Sequence, residues 1–270
     1  MGKQQGNTSL IAIGFMLFAL FFGAGNLIFP VLLGQMSGTE ALVATIGFIV
    51  TGVGLPLLGT IAIGVSGKAD LLSMASRVHP WFGLAFTTVL YLTIGPFFAI
   101  PRTGSVSYEV ALKPVLGEGA NGTLALLIFT AVFFAVTCFL SLNPGKIVDI
   151  VGKILTPVLL IVVLILIGAA IFNPFGEPTA AVGKYVETPF FSGFQEGYLT
   201  MDALASFVFG IIVINAVRGM GAKTNRDIMR YTFKAGLIAA ASLGIIYGGL
   251  AYLGATSVER IGVMDNGGAI

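Results

Sequence analysis

Few residues in this chain are equipped for chemistry. There is one histidine, His79, and one cysteine, Cys138, among 270 residues. No Ser/His/Asp, Cys/His or metal-ligand cluster can be assembled from them, and enzymatic catalysis has no visible support. The polar groups that stand out lie inside apolar runs. Gly23, Ala24, Gly25 and Asn26 interrupt an otherwise hydrophobic stretch, and Asp202 is the only charged residue in another. Two glycines and an asparagine weaken a helix, and backbone freed at membrane depth is tolerated only where it lines a cavity or is buried in protein. An ionisable side chain in such a stretch is costly and marks a functional candidate. Asp202, Ser206 and Gly210 recur at four-residue spacing, one helical face. Close helix packing through small residues and an interfacial, hydrated Asp202 are the competing readings of these features.

The elements that position these residues follow from composition. Hydrophobic residues make up 56% of the chain and charged residues 10%, against roughly 25% charged in a soluble domain. That excludes a soluble enzyme, a nucleic-acid binder and a disordered chain. A bilayer core needs about 20 apolar residues in helix. Seven segments qualify, over about 10–34, 41–65, 81–101, 123–142, 154–172, 198–217 and 235–258, giving one polytopic all-α membrane domain across 1–270. The first is too long an apolar run for a signal peptide.

Placing the N-terminus in the cytoplasm puts ten of the fourteen bases on inner segments, Lys3 to Lys234, and four outside: Arg102, Lys113, Lys184 and Arg260. This satisfies the positive-inside rule. The basic stretch from Arg218 to Lys234 can also meet anionic membrane lipid. The net charge of +2 points to no acidic macromolecular partner. Arg102 reads as an interfacial anchor or part of an outer gate. Pro96 and Pro157 are expected to kink their helices, Gly244-x-x-x-Gly248 to form a packing face, and Cys138 to be a small apolar filler.

Interruptions at matching depth in helices one and six, five helices apart and running oppositely, predict an inverted repeat. In that arrangement broken half-helices offer N–H groups to an anion and carbonyls to a cation. Gly25 and Asn26 would present amides to a carboxylate, while carbonyls around Ala19, Phe22 and Ala24 suit a small cation. Carbonyls near Ser206 and Phe207 would receive an ammonium, and Phe207, Phe209 and Tyr91 would wall an apolar pocket. For each aromatic taken singly, packing or lipid contact is the competing reading.

Three stretches then carry a resemblance: Phe21-Phe22-Gly23-Ala24-Gly25-Asn26-Leu27-Ile28-Phe29-Pro30, Gly95-Pro96-Phe97-Phe98-Ala99-Ile100-Pro101-Arg102-Thr103-Gly104, and Gly197-Tyr198-Leu199-Thr200-Met201-Asp202-Ala203-Leu204-Ala205. In this order they resemble the branched-chain amino acid:cation symporters, the bacterial branched-chain amino acid transport system II carriers. The resemblance implies a multi-pass plasma-membrane carrier for leucine, isoleucine and valine, driven by Na⁺ or H⁺ and using no cofactor. It also implies the LeuT-type five-plus-five inverted repeat of the amino acid–polyamine–cation superfamily, with Gly23, Gly25 and Asn26 at its unwound helix-one positions. Family members are considerably longer, so this chain is expected to hold the first repeat and two helices of the second. An ion channel and a membrane fragment without transport activity are the alternatives; a channel predicts repeated polar residues along a span face, which these helices lack.

Overall fold

The structure is a computed structural model. It describes residues 2–68, 70–117, 122–142 and 155–263, and the side chains of all of these except 2–9, 24 and 114. The start of the fifth expected span, residue 154, falls outside this set. The described residues form helices and connecting turns, with no strand among them.

Charge-free runs become helices because a backbone in hydrocarbon must satisfy its own hydrogen bonds. The first run is two helices, α1 (Gly2–Phe21) and α2 (Ala24–Ser37). Gly38, at φ +47°, allows the chain to turn into α3 (Ala41–Ile49). A π-helical turn over Val50–Gly54 joins α3 to α4 (Leu55–Ser66), whose Pro56 occupies the first turn, where its missing N–H costs nothing.

Short α5 (Leu71–Ala75) is capped by Asp70, which accepts from the Ser73 amide at 2.6 Å. That amide, with the Ser73 hydroxyl, holds the Asp70 carboxyl below its ordinary range. The third run is α6 (Pro80–Leu92), a distorted π turn over Thr93–Phe97, and α7 (Ala99–Ser107). After α8 (Lys113–Leu116) come α9 (Thr123–Ser141) and α10 (Thr156–Phe172). The last elements are α11 (Pro189–Leu199), α12 (Asp202–Gly219) and the 37-residue α13 (Asn225–Ile261).

Five helical stretches among the described residues are long and apolar enough to cross a membrane: Gly25–Ser66, Pro80–Leu112, Thr123–Ser141, Asp202–Gly219 and Asn225–Ile261. Leu10–Phe21 and Thr156–Phe172 are apolar but shorter. The first is shortened by the break after Phe21, and residues just before Leu155 lie outside the described set. The surface fits an integral membrane protein. α9 buries no residue, and Phe172 on α10 is 91% exposed, whereas Asn26, Gln35, Ser206 and Asp202 are buried. Soluble monomers rarely expose apolar patches of that extent.

The core is organised around α13, which packs against α1, α2 and α4, while α3 lies on α11 and α12 on α4. Backbones touch where glycine permits. A Cβ at Gly34 would strike the Ala251 carbonyl, and one at Gly254 the Val31 carbonyl, so α2 and α13 are in near-contact along two turns. Gly244 and Gly248 do not serve this purpose, since a Cβ on either meets open space. Cys138 is exposed on α9 and is not an interior filler.

Candidate functional site

The site begins where α1 ends. Gly23 is extended (φ −105°, ψ −173°), and its amide donates to Oδ1 of Asn26 at 3.2 Å rather than to the Ala19 carbonyl four residues back. The Asn26 side chain therefore stabilises the break that releases Ala19. α2 starts at Ala24, and the first amides of any helix have no partner within it.

A second break meets the first. Between α11 and α12, Met201 has φ +65°, a conformation uncommon for a non-glycine residue. Asp202 follows at the head of α12, 6% exposed, with its amide 3.5 Å from the Thr200 hydroxyl. Asn26 Nδ2 donates to Oδ2 of Asp202 and, at 2.6 Å, to the hydroxyl of Tyr247 at the middle of α13. One carboxamide thus ties both breaks to the central helix. Tyr247 is held in turn by the ring of Phe48, edge-on at 5.2 Å.

A third interruption faces the same place. Gly95 (ψ −117°) and Phe98 (φ −139°, ψ −65°) leave helical geometry before α7. This re-aims α7 so that Arg102 lies over the start of α2, its guanidinium 4.8 Å from the Phe29 ring centre and 5.8 Å from that of Phe98. A Cβ added to Gly25 would sit 3.5 Å from that guanidinium. The three breaks bound a cavity of about 220 Å³ lined by Gly23, Gly25, Asn26, Arg102, Asp202 and Phe209, with further apolar walls. Its lining is mostly apolar with a few convergent polar groups, the composition of a small-molecule site. The cavity lies below the roughly 300–1,000 Å³ of drug-sized pockets, which suits one small molecule.

Residues 6–270 match the family model described as "Branched-chain amino acid transport protein". The chain belongs to this family. It is 54% identical over its whole length to the branched-chain amino acid permease BrnQ of Bacillus subtilis, covering 61% of that protein. It is 47% identical, over 96% of the chain and 58% of the relative, to the branched-chain amino acid transport system 2 carrier protein of Pseudomonas aeruginosa. With BrnQ of Escherichia coli K12 the identity is 42%, over 100% of the chain and 61% of the relative. The chain thus spans about 60% of the length of these curated relatives. No solved structure matches it.

In this family member, the cavity brings together Gly23, Gly25, Asn26, Phe209, Asp202 and Arg102 of the residues expected from sequence. Others lie elsewhere. α12 is continuous through Ser206, Phe207 and Gly210, so carbonyls there are engaged in the helix and are not presented to a ligand. Ser206 packs into Gly59 on α4 and donates to the Ala203 carbonyl, and Gly210 faces Ile63. Phe207 meets Phe86 edge-on at 6.4 Å, while Tyr91 is 47% exposed and away from the cavity.

Ala19 and Phe22 line a different, apolar groove against α10, beside Thr156 and Leu159. Of Ala24 only the backbone is described. Arg102 lines the cavity, and Asp202 is buried. Tyr247, Thr200 and Met201 escaped the sequence reading. For Tyr247 a signal existed, since a tyrosine hydroxyl buried mid-span needs a partner.

Proposed function

We propose that this chain forms the substrate-binding part of a secondary active carrier for leucine, isoleucine and valine in the bacterial plasma membrane. Uptake is coupled to Na⁺ or H⁺ and proceeds by alternating access. The observation that carries the reading is the convergence of three broken helices on one small, mostly apolar cavity. The apolar walls, Phe21 and Phe209 among them in edge-on contact at 5.8 Å, suit a branched aliphatic side chain. The free amides at the head of α2 suit its carboxylate. Printed names of the relatives, branched-chain amino acid permeases and carrier, support the substrate class.

The same reading arranges the chain as the first repeat and two helices of the second in a LeuT-type five-plus-five fold, with the N-terminus cytoplasmic. Pairing of a helix-one break at Gly23 with a helix-six break at Thr200–Met201 supports it. The coupling cation would use the Ala19 carbonyl released by the Gly23 break, with the backbone at Phe22 and Ala24 and the Asn26 carboxamide. Among the described residues no group of three His, Cys, Asp or Glu stands ready for a metal ion. Carbonyls at a broken helix suit a small transported cation.

The test is leucine uptake into proteoliposomes under imposed Na⁺ and H⁺ gradients, applied separately. We expect saturable uptake that rises under one gradient and is competed by isoleucine and valine. Uptake that is absent under both gradients, or flux of ions without leucine, would reject the carrier.

A further inference from the structure

Among the described residues, Arg102 and Asp202 are the only charged side chains on the cavity wall, one of each sign. They form no ion pair with each other, and each is fixed by something else. The Arg102 guanidinium has no hydrogen bond or ion pair among the described residues; it is held by the rings of Phe29 and Phe98. Asp202 is buried and accepts from Asn26, and no cation is paired with it among the described residues.

A guanidinium presents five donors in a planar fork matched to a carboxylate. An ionised carboxylate has about four acceptor sites, and Asn26 takes one. A guanidinium without a polar partner and a buried carboxyl with Asn26 as its neighbour are both under-satisfied in a mostly apolar cavity, which is unfavourable. A ligand carrying both opposite charges on adjacent atoms and an apolar remainder would satisfy them together.

We propose that Arg102, lying beside the amides at the head of α2, joins them in receiving the carboxylate and Asp202 receives the ammonium of a zwitterionic α-amino acid, so that two side chains select the zwitterion. This deepens the proposed function and rests on its reading of the cavity as the amino acid site. Apolar walls then choose among side chains, and the charged pair rejects amines and acids that carry only one of the two groups. Both residues are held in place before the ligand arrives, Arg102 by two rings and Asp202 by the carboxamide that also fixes the helix-one break. Little ordering is left for the ligand to impose.

The experiment measures equilibrium binding to the purified full chain of leucine, of 3-methylbutylamine, which lacks the carboxylate, and of 4-methylpentanoate, which lacks the amine. For Arg102→Gln we expect leucine binding weakened by roughly thirtyfold, the loss of a charge-assisted pair, with 3-methylbutylamine unchanged. For Asp202→Asn, which keeps the shape and can still bond Asn26, we expect a similar loss for leucine with 4-methylpentanoate unchanged. Arg102→Lys should recover part of the leucine affinity.

Equal losses for all three ligands in a variant would show a merely structural role and overturn the assignment. So would wild-type leucine affinity in Arg102→Gln. Wild-type protein that binds no leucine would instead reject the reading of the cavity on which this rests.

Discussion

Replacing Asn26 by leucine is expected to abolish saturable leucine uptake without lowering the amount of protein in the membrane. The two side chains are similar in size, so the core around α13 stays filled. What disappears is the acceptor for the Gly23 amide and the donors to Asp202 and Tyr247. The break in helix one loses its internal partner, and the carboxylate at the head of α12 loses the group that orients it. Leaving the buried Asp202 acceptor without its donor costs about 1–3 kcal/mol, and the rest of the effect falls on site geometry. Tyr247→Phe, which removes one acceptor only, should lower uptake by less than about tenfold. Normal uptake by Asn26→Leu, in protein eluting as a single species in detergent, would sink the site.

The second large effect is steric. A Cβ at Gly25 meets the Phe29 ring at 3.3 Å and the Arg102 guanidinium at 3.5 Å. The first contact is tight and the second ordinary, and both neighbours are side chains that can give way. Gly25→Ala is therefore expected to keep leucine affinity within about tenfold of wild type. In Gly25→Leu the rest of the side chain enters a cavity of about 220 Å³. Leucine affinity should then fall by at least about a hundredfold. Equilibrium binding of radiolabelled leucine reads both variants, and unchanged affinity in Gly25→Leu would place the ligand elsewhere.

Much of this site was legible before the fold. Gly23-x-Gly25-Asn26 in a charge-free run announces a weakened helix, because glycine and asparagine are poor helix formers and hydrocarbon penalises loose backbone. Asp202 announces itself by its charge. The second break was misplaced by a turn or two. Small residues at Ser206 and Gly210 looked like loosened helix, yet they are small because α4 lies against them at Gly59 and Ile63. The actual break at Thr200–Met201 leaves no local mark, since a methionine at positive φ is set by its surroundings.

Arg102 shows a different limit. Pro96 flags a kink, but the direction in which α7 then points depends on the conformations of Gly95 and Phe98, which no spacing rule encodes. Sequence gave Arg102 a depth near the end of a span; tertiary structure gave it the cavity. The packing glycines divide the same way. Gly244 and Gly248 carry the familiar spacing, yet a Cβ on either meets open space among the described residues, whereas one on Gly34 or Gly254, on different helices, would strike backbone. Pairing between distant segments is decided in three dimensions.

The central claim is that leucine occupies the cavity bounded by the three helix breaks. Protection of a thiol at its rim tests this most directly. Thr103 lines the cavity, is exposed, and its hydroxyl bonds only its own helix at the Ile100 carbonyl, so Thr103→Cys disturbs little. Thr39, on a separate crevice beside Glu177 and Tyr252, supplies the control Thr39→Cys. Cys138 is exposed and is replaced by alanine in both. We predict that saturating leucine slows alkylation of the Thr103→Cys variant by at least about tenfold, as expected when a ligand occupies nearly every site, and leaves Thr39→Cys unchanged. Equal alkylation rates of Thr103→Cys with and without leucine would contradict the account.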